Sequence, residues 1–429
     1  MFSRRRFLQA GSVAVAANAA LPTLARAGER DTGLPPVIAQ LKSLHGEATP
    51  ISLDERRERQ EKARRLIREN DLSAILMTEG SSLTYFTGMR WWGGERLFAM
   101  VLPAKGQSFY VCPAFEEGRA REQIAKSPDG DNADVRIWQE DESPYERVAQ
   151  GLTDRGIAGG AVGLEETVKF VFGDNLRKAA STTTFASATP VTAGCRMIKS
   201  PREIDLMRLA SKVTLMAYEA TYRSLKPGMT QQDAEDLIEA AHRKLGFEGG
   251  ADVQVGEFSA FPHGSATPQV IREGTIVLID GGCKVEGYAS DITRTFVLDR
   301  ASDKMKRVFE IVHRAQSAAL AAAKPGAECG SVDVAARKVI TDAGYGPDYK
   351  YFTHRLGHGM GMDGHEWPYL VRGNPRKLEP NMTTSNEPGV YIRGEFGIRL
   401  EDDMHITENG SELFTPQSLS LENPFGKNS

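Results

Sequence analysis

Five side chains in the C-terminal half of the chain are of the types that bind divalent metal ions. They are four carboxylates and one imidazole: Asp280, Asp291, Glu387, Glu401 and His358. A carboxylate can bridge two ions with its two oxygens, and this donor set suits Mn²⁺, Co²⁺, Fe²⁺ or Zn²⁺. Two neighbouring ions share a water molecule, lower its pKa toward about 7 and polarise the carbonyl that it attacks. The set therefore predicts a two-metal hydrolase.

Each residue taken alone also has a simpler interpretation. Asp280 precedes two glycines and could be a turn residue, whereas Glu401 begins an acidic E-D-D run that could be solvated. His358 stands between two glycines and could be a core histidine. The joint spacing of the five residues, rather than any one of them, favours a metal site.

Two predicted β-hairpins position the carboxylates. Residues 275–280 and 288–298 are rich in strand formers, and a turn-like Glu-Gly pair lies in the loop between them. A turn centred on that pair places Asp280 opposite Thr293, with Asp291 as a diagonal neighbour on the same face, within about 7–8 Å.

The second hairpin is predicted from residues 390–392 and 398–400, which are separated by glycines. Glu387 lies just before one arm, and Glu401 lies on the other. Both hairpins therefore carry two carboxylates.

An internal repeat spans the same half of the chain. Lys226-Pro227-Gly228 recurs as Lys324-Pro325-Gly326, an offset of 98 residues that also aligns Gly246 with Gly344. Each copy is typical of a helix, a turn, a second helix and a terminating glycine, with helix caps expected at Thr230 and Ser331. We therefore expect an α+β domain, residues 195–429, built from two halves about a pseudo-twofold axis.

Residues 51–194 predict an α/β domain. A capping box at Ser52 and Glu55 begins a charged helix that runs to about Asn70. Apolar runs of strand length then follow at residues 73–77, 98–102 and 109–112. They alternate with helical stretches such as residues 144–152, which is typical of an α/β domain.

The first 27 residues have the layout of a cleaved signal peptide. Arg4-Arg5 and Phe7-Leu8 precede an apolar, Ala-rich stretch over residues 10–24, and cleavage is expected near Ala27; this layout resembles a twin-arginine signal. We expect recognition by the twin-arginine export machinery, a periplasmic or secreted location, and no stable membrane insertion after cleavage. A membrane anchor is disfavoured because the apolar stretch is short. Residues 28–50, with two prolines, predict a loose leader.

Composition narrows the remaining possibilities. The net charge is −4, and the chain has no basic block beyond its N-terminus, which argues against nucleic-acid binding. The cysteines are few and scattered, so buried free thiols are expected: Cys112, Cys195, Cys283 and Cys329.

The motifs around the five residues resemble those of the pita-bread metallopeptidases, which include prolidases, aminopeptidases P and methionine aminopeptidases. The segments are LIDGGCKVEGYASDITRT, HRLGHGMGMDGHEWP, NEPGVY and GIRLED, and the resemblance covers about residues 196–417. The preceding domain resembles a creatinase-type N-terminal domain through Tyr85-Phe86-Thr87-Gly88. This combination indicates the proline-specific branch, with two metal ions, most often Mn²⁺, and short proline-containing peptides as substrates.

The resemblance also implies a role for each residue. Asp280 would bind one ion and His358 with Glu387 the other, while Asp291 and Glu401 would bridge them. Glu387 would also accept a proton from the attacking water. The further residues are expected near the substrate: His365 at the oxyanion, His263 in substrate orientation, and His354 and Arg399 as substrate-side groups.

One position departs from the family pattern. Several dipeptidases of this family carry an arginine four residues after the second histidine, where it can hold the substrate's carboxylate. Tyr369 occupies that position here, and the nearest arginine is Arg372. Dipeptidase action and aminopeptidase P-type cleavage of longer Xaa-Pro peptides therefore both stay open.

Trp91 and Trp92 suggest how the chain assembles. Adjacent residues of a strand point to opposite faces, so one indole can project outward. In proline-specific relatives the N-terminal domain packs near a partner's cleft. We therefore expect a homodimer in which Trp91 or Trp92 lies near His365 of the partner subunit.

Two other functions compete with the peptidase. The chain could be a catalytically inactive peptide-binding module, or a creatinase-like C–N hydrolase that works without metal. Both are disfavoured because all five ligand positions are intact.

Overall fold

The computed structural model describes residues 33–426 in two domains. The predicted signal peptide, residues 1–27, lies outside the described residues. Among the helices of residues 33–426, none is long and apolar enough to cross a membrane.

The N-terminal domain is built on a six-stranded mixed sheet of order β4-β3-β2-β1-β5-β6. Its strands are β1 (Ala74–Met77), β2 (Ala99–Pro103), β3 (Phe109–Pro113), β4 (Asp134–Trp138), β5 (Ala161–Leu164) and β6 (Thr184–Ser187). The helices from the leader to the end of this domain are α1 (Pro36–Ala39), α2 (Leu53–Glu69), α3 (Ser81–Thr87), α4 (Glu117–Ile124), α5 (Pro144–Asp154), α6 (Phe170–Ala179) and α7 (Thr189–Arg196). The predicted capping box is present, since Ser52 and Glu55 exchange hydrogen bonds at the start of α2.

The predicted loose leader is ordered in the part that the structure describes. α1 buries Ile38 completely, and Leu44 donates its backbone N–H to the carbonyl of Leu245 at 2.8 Å. The segment packs because its apolar side chains cover the C-terminal domain. The prediction of a loose leader was therefore wrong for residues 35–50.

The C-terminal domain contains two helix pairs, each followed by strands. Its helices are α8 (Pro201–Tyr222), α9 (Gln231–Leu245), α10 (Asp303–Ala322) and α11 (Cys329–Asp342). Its strands are β7 (Gly249–Val255), β8 (Ile276–Val285), β9 (Tyr288–Ala289), β10 (Ile292–Val297), β11 (Gly357–Gly359), β12 (Glu366–Leu370), β13 (Thr383–Asn386), β14 (Gly389–Ile392), β15 (Phe396–Arg399), β16 (Asp402–Ile406) and β17 (Ser411–Leu413). They form one sheet of order β10-β8-β7 with β9 beside β8, a second of order β12-β11-β13-β16-β17, and the β14–β15 hairpin.

The internal repeat predicted from sequence is visible in the backbone. The N-caps of α9 and α11 are Thr230 and Glu328, the same offset of 98 residues, and each pairs with a later segment through an isolated bridge. Thr230 caps α9 as predicted. The prediction of Ser331 as a cap was wrong, because α11 begins two residues earlier and the Ser331 hydroxyl donates to the Glu328 carbonyl.

Two smaller predictions are also confirmed. Asp280 pairs with Thr293 in the β8–β10 register, as the turn position required. The four cysteines are free and buried.

Candidate metal centre

The five predicted ligands line one cavity of about 410 Å³ in the C-terminal domain. Three sets of ligand atoms each lie within 4.8 Å of one another: Asp280, Asp291 and Glu401; His358, Glu387 and Glu401; and Asp291, His358 and His365. The structure therefore brings together residues that are up to 121 positions apart in the chain.

Strand pairing positions the carboxylates. Asp280 lies in β8 opposite Thr293 of β10, and Asp291 directly precedes β10. Glu401, in the link between β15 and β16, donates its backbone N–H to the Thr293 carbonyl at 3.2 Å. The Thr293 pairing therefore places three carboxylates from two hairpins side by side.

His358 is held in an orientation suited to a metal. It occupies the centre of β11, where a Cβ on Gly357 would overlap the Ser385 carbonyl, so the neighbouring strand approaches closely. Its Nδ1 faces the Gly359 carbonyl at 3.1 Å and must carry the proton, because a carbonyl only accepts. Nε2 is therefore left with its lone pair, 3.3 Å from Glu387.

The carboxylates of the cavity carry more negative charge than the protein compensates. Burial, followed by the charges of neighbouring carboxylates, raises the pKa of Asp291 and of Glu401 well above its usual range. Burial also opposes ionisation of Glu387, but the positive charge of Arg399 and the neighbouring imidazoles act in the opposite direction and lower the Glu387 pKa.

The hydrogen bonds show the same shortage of positive charge. The Thr293 hydroxyl lies 2.6 Å from both Asp280 and Glu401, yet its single proton serves only one of them at a time. Divalent cations would relieve this shortage, and four carboxylates with one imidazole match hard to intermediate metals. The residues present therefore fit a pair of metal ions.

Arg399 lines the cavity as a substrate-side residue would, and its guanidinium also has protein partners. Its guanidinium donates to Asp280 at 2.6 Å, to Thr293 at 3.0 Å and to the Tyr391 hydroxyl at 2.9 Å. The side chain is only 3% exposed. Arg399 therefore fixes the orientation of Asp280 and offsets part of the cluster's negative charge.

His354 also lines the cavity with both ring nitrogens occupied. Nδ1 donates to the Arg355 carbonyl at 2.8 Å, so Nε2 accepts from the Tyr391 hydroxyl at 2.7 Å. Burial is the main cause that lowers the His354 pKa. His354 can therefore offer the substrate the face of its ring, but neither nitrogen.

His365 lines the same cavity, beside His358. Its ring stacks on His358 with centroids 3.6 Å apart, and Arg355 donates to its Nδ1 at 3.1 Å. Because arginine only donates, Nδ1 is the acceptor and Nε2 carries the proton. Burial is the main cause that lowers the His365 pKa to about 4, and the positive charge of Arg355 acts in the same direction, so the ring is a neutral donor at pH 7. His263 is exposed and lines the same cavity.

Three predicted substrate residues do not line this cavity. Arg372 follows β12 and pairs with Asp348 at 2.7 Å, away from the metal ligands. Trp91 is 9% exposed and stacks on Phe98 at 4.1 Å, inside the N-terminal domain, because its apolar ring completes that core. Trp92 is 68% exposed, beneath the Arg119 guanidinium, and lines a separate cavity of about 820 Å³.

Sequence reasoning missed several residues that organise the centre. Asp403 is fully buried, accepts from Ser211 at 2.7 Å and from the Asp291 backbone at 3.3 Å, and burial raises its pKa to about 8. Asp402 pairs with the buried Arg294 at 2.6 Å. The acidic run after Glu401 is thus not solvated. Arg355 could have been noticed from its place beside His354.

Comparison with known proteins supports the two-domain division. Residues 59–198 match the model of the creatinase/prolidase N-terminal domain, and residues 205–408 match that of metallopeptidase family M24. The chain is 32% identical to an Xaa-Pro dipeptidase of Lactobacillus delbrueckii subsp. lactis over 84% of this chain and 98% of the relative. It is 32% identical to a putative dipeptidase of Bacillus subtilis over 83% of this chain and 96% of the relative.

A solved structure gives the same result. The dipeptidase of Mycobacterium ulcerans superposes with a TM-score of 0.81 at 32% identity, covering 87% of this chain and 99% of that one. The predicted fold class, an α/β creatinase-type N-terminal domain followed by an α+β pita-bread domain, is confirmed.

Proposed function

Because this chain belongs to metallopeptidase family M24, we propose that it hydrolyses Xaa-Pro bonds of dipeptides or short peptides with the help of two divalent metal ions. The observation that carries the proposal is the cavity itself. Four carboxylates and the free Nε2 of His358 converge there, next to the neutral N–H donor of His365. All three relatives compared above are named dipeptidases, and one of them is named an Xaa-Pro dipeptidase, which supports this substrate class.

Two ions bound in this cavity would supply an activated water and polarise the scissile carbonyl. The protein's own residues transfer the proton, stabilise the developing negative charge and orient the substrate. Glu387, oriented by a hydrogen bond from the Ser385 hydroxyl at 3.1 Å, accepts a proton from the attacking water. His365 donates its Nε2–H to the oxygen on which negative charge develops, and this interaction strengthens in the transition state. Exposed His263 lies at the cavity wall and orients the peptide.

The cavity favours short substrates. Its volume of about 410 Å³ is in the range of small-molecule sites. Dipeptidase action is our first proposal, and aminopeptidase P-type cleavage of longer Xaa-Pro peptides is the alternative within the same chemistry. Comparing kcat/KM for Xaa-Pro and Xaa-Pro-Yaa peptides with Mn²⁺ separates them.

Two functions of other classes are less well supported. An inactive peptide-binding module would not need the complete ligand set or the tautomer that leaves His358 Nε2 available. A metal-free C–N hydrolase would leave the carboxylate repulsion of the cavity uncompensated. If an Xaa-Pro peptide binds in the presence of Mn²⁺ without being cleaved, the inactive peptide-binding module is favoured.

We also propose that the metal is Mn²⁺, that the protein acts as a homodimer, and that it is exported by the twin-arginine route. Twin-arginine substrates fold before they cross the membrane, so the metal would be acquired in the cytoplasm. Replacing Arg4 and Arg5 with Lys should leave unprocessed protein in the cytoplasm. Normal appearance of the mature form outside would contradict this route.

A further inference from the structure

A cluster of charged side chains outside the metal cavity joins the N-terminal domain to the turn that carries His365. We call it the ionic cluster, and it consists of Arg196, Lys199, Asp363 and Glu366. Arg196, Lys199 and Glu366 are each at most 9% exposed. Arg196 is the last residue of α7 in the N-terminal domain, whereas the two carboxylates flank His365 in sequence.

Both ends of the His365 turn are fixed by these contacts. Arg196 Nη2 donates to Asp363 Oδ2 at 2.6 Å and also to Glu366 Oε2. Lys199 Nζ donates to Glu366 Oε1 at 2.7 Å, and the Ser81 hydroxyl donates to Asp363 Oδ1 at 2.5 Å. All four carboxylate oxygens therefore accept hydrogen bonds from the N-terminal domain or the segment that follows it.

The turn has little freedom to settle elsewhere. Gly361 donates its N–H to the Asp363 carbonyl at 3.1 Å, which closes the turn. A Cβ on Gly361 would overlap the Glu366 carboxylate, so backbone and cluster are tightly packed. His365 itself is exposed, and its described ring contacts are only the stack on His358 and the bond from Arg355. The backbone must therefore supply most of its positional precision.

We propose that Arg196 is a positioning residue for His365, so that the N-terminal domain completes the catalytic site of its own chain. The inference rests on the proposed peptidase function of the metal cavity. Without the Arg196 guanidinium, Asp363 loses its salt bridge and Glu366 keeps only Lys199, so no cation holds the two carboxylates together and the turn between them opens. Arg196 does not line the metal cavity, and its side-chain hydrogen bonds go to Ser82, Asp363 and Glu366 rather than to the candidate metal ligands. Its loss should therefore affect the step that uses His365, and not metal binding.

The test is a double-mutant cycle between Arg196→Gln and His365→Ala, with kcat, KM and bound metal measured for each protein. A displacement of about 1 Å can cost about a hundredfold in rate, so Arg196→Gln should lower kcat about tenfold to a hundredfold. KM and bound metal should stay within about twofold, and Arg196→Lys should restore part of kcat because it keeps a cation. In the His365→Ala background Arg196→Gln should have no further effect.

Arg59 provides a matched control. It is also a buried arginine between the domains, 6% exposed, bonded to Glu203 at 3.3 Å and to the Tyr288 hydroxyl at 2.8 Å, without contact to the His365 turn. Arg59→Gln should destabilise the fold and leave kcat unchanged. An equal loss of kcat in Arg59→Gln, or an equal effect of Arg196→Gln with and without His365, would overturn the proposal.

A second variant keeps the test usable if Arg196→Gln does not fold. Asp363 is 45% exposed and can be replaced by Asn with less damage to the core, and the same cycle with His365→Ala applies. Failure of the proposed function would look different, since wild-type protein loaded with Mn²⁺ would then not hydrolyse Xaa-Pro peptides at all. If the wild-type enzyme hydrolyses these peptides but the effects of the two substitutions on kcat are additive, only the role of Arg196 is contradicted.

Discussion

The metal cavity and the ionic cluster both bury charge, but they balance it differently. In the cavity, Arg399 is the one buried arginine set against four carboxylates. In the ionic cluster, Arg196 and Lys199 neutralise Asp363 and Glu366 pair by pair. Buried charged groups that form ion pairs within the protein stabilise its fold. Buried carboxylates without such partners require bound cations. His365 lines both the metal cavity and a small cavity beside the cluster, so the two regions meet at this residue.

The largest expected effect follows from the unbalanced cavity. Asp291→Ala or Glu401→Ala should reduce peptidase activity to background and abolish tight metal binding, because each residue would contact both ions. The metal-free variants should be at least as stable as metal-free wild type, since removing one carboxylate relieves repulsion that raises the pKa of both groups. Thermal unfolding with EDTA measures this. A clear loss of stability would show that these carboxylates are already compensated.

The balanced cluster should respond in the opposite way. Glu366→Ala leaves Lys199 and Arg196 buried with fewer partners, and breaking a buried pair costs about 3–5 kcal/mol. Urea unfolding of the metal-free protein should show a loss of that size. If Glu366→Ala and Glu401→Ala changed stability alike, the contrast between the two regions would not hold.

His365→Ala tests the residue that lines both the metal cavity and the small cavity beside the ionic cluster. It should retain metal and lose about 10²–10³ in kcat, the scale for one oxyanion donor. Metal analysis and steady-state kinetics test this directly. An unchanged kcat would assign His365 a structural role only.

The smallest expected effect concerns Trp92, which is exposed and lies outside both regions. If it faces the cavity of a partner subunit, Trp92→Ala should raise KM with little change in kcat, and activity should fall on dilution to monomer. Trp91→Ala is not an equivalent test, because Trp91 is buried against Phe98. A fully active monomer in analytical ultracentrifugation at micromolar concentration would sink the dimer proposal.

The sequence predicted the features that depend on local pattern. The capping box at Ser52, the pairing of Asp280 with Thr293 and the repeat offset follow from periodicity, turn chemistry and spacing along the chain. The motifs around the five candidate metal ligands are specific, which is why a sequence can indicate these positions. The ordered leader was missed, because its packing depends on a surface formed by residues about 200 positions away.

The environment of the site could not be predicted in the same way. Arg399 was expected at the substrate, and its guanidinium also contacts Asp280 and Tyr391, partners that only the folded chain brings to it. Asp402 and Asp403 had the composition of a solvated run, but strand β16 carries them into the core, where Arg294 and Ser211 bind them. Charge pairing is a long-range property, and a single sequence does not reveal which arginine meets which carboxylate.

If the cavity binds two divalent ions, the protein should need them for cleavage of Xaa-Pro bonds. The most direct measurement combines metal analysis of the purified protein with hydrolysis of an Xaa-Pro dipeptide before and after chelation. We predict about two metal ions per chain at saturation, loss of hydrolysis with the chelator, and recovery on addition of Mn²⁺. A protein that binds no divalent metal, or one whose hydrolysis is unchanged by the chelator, would contradict the account.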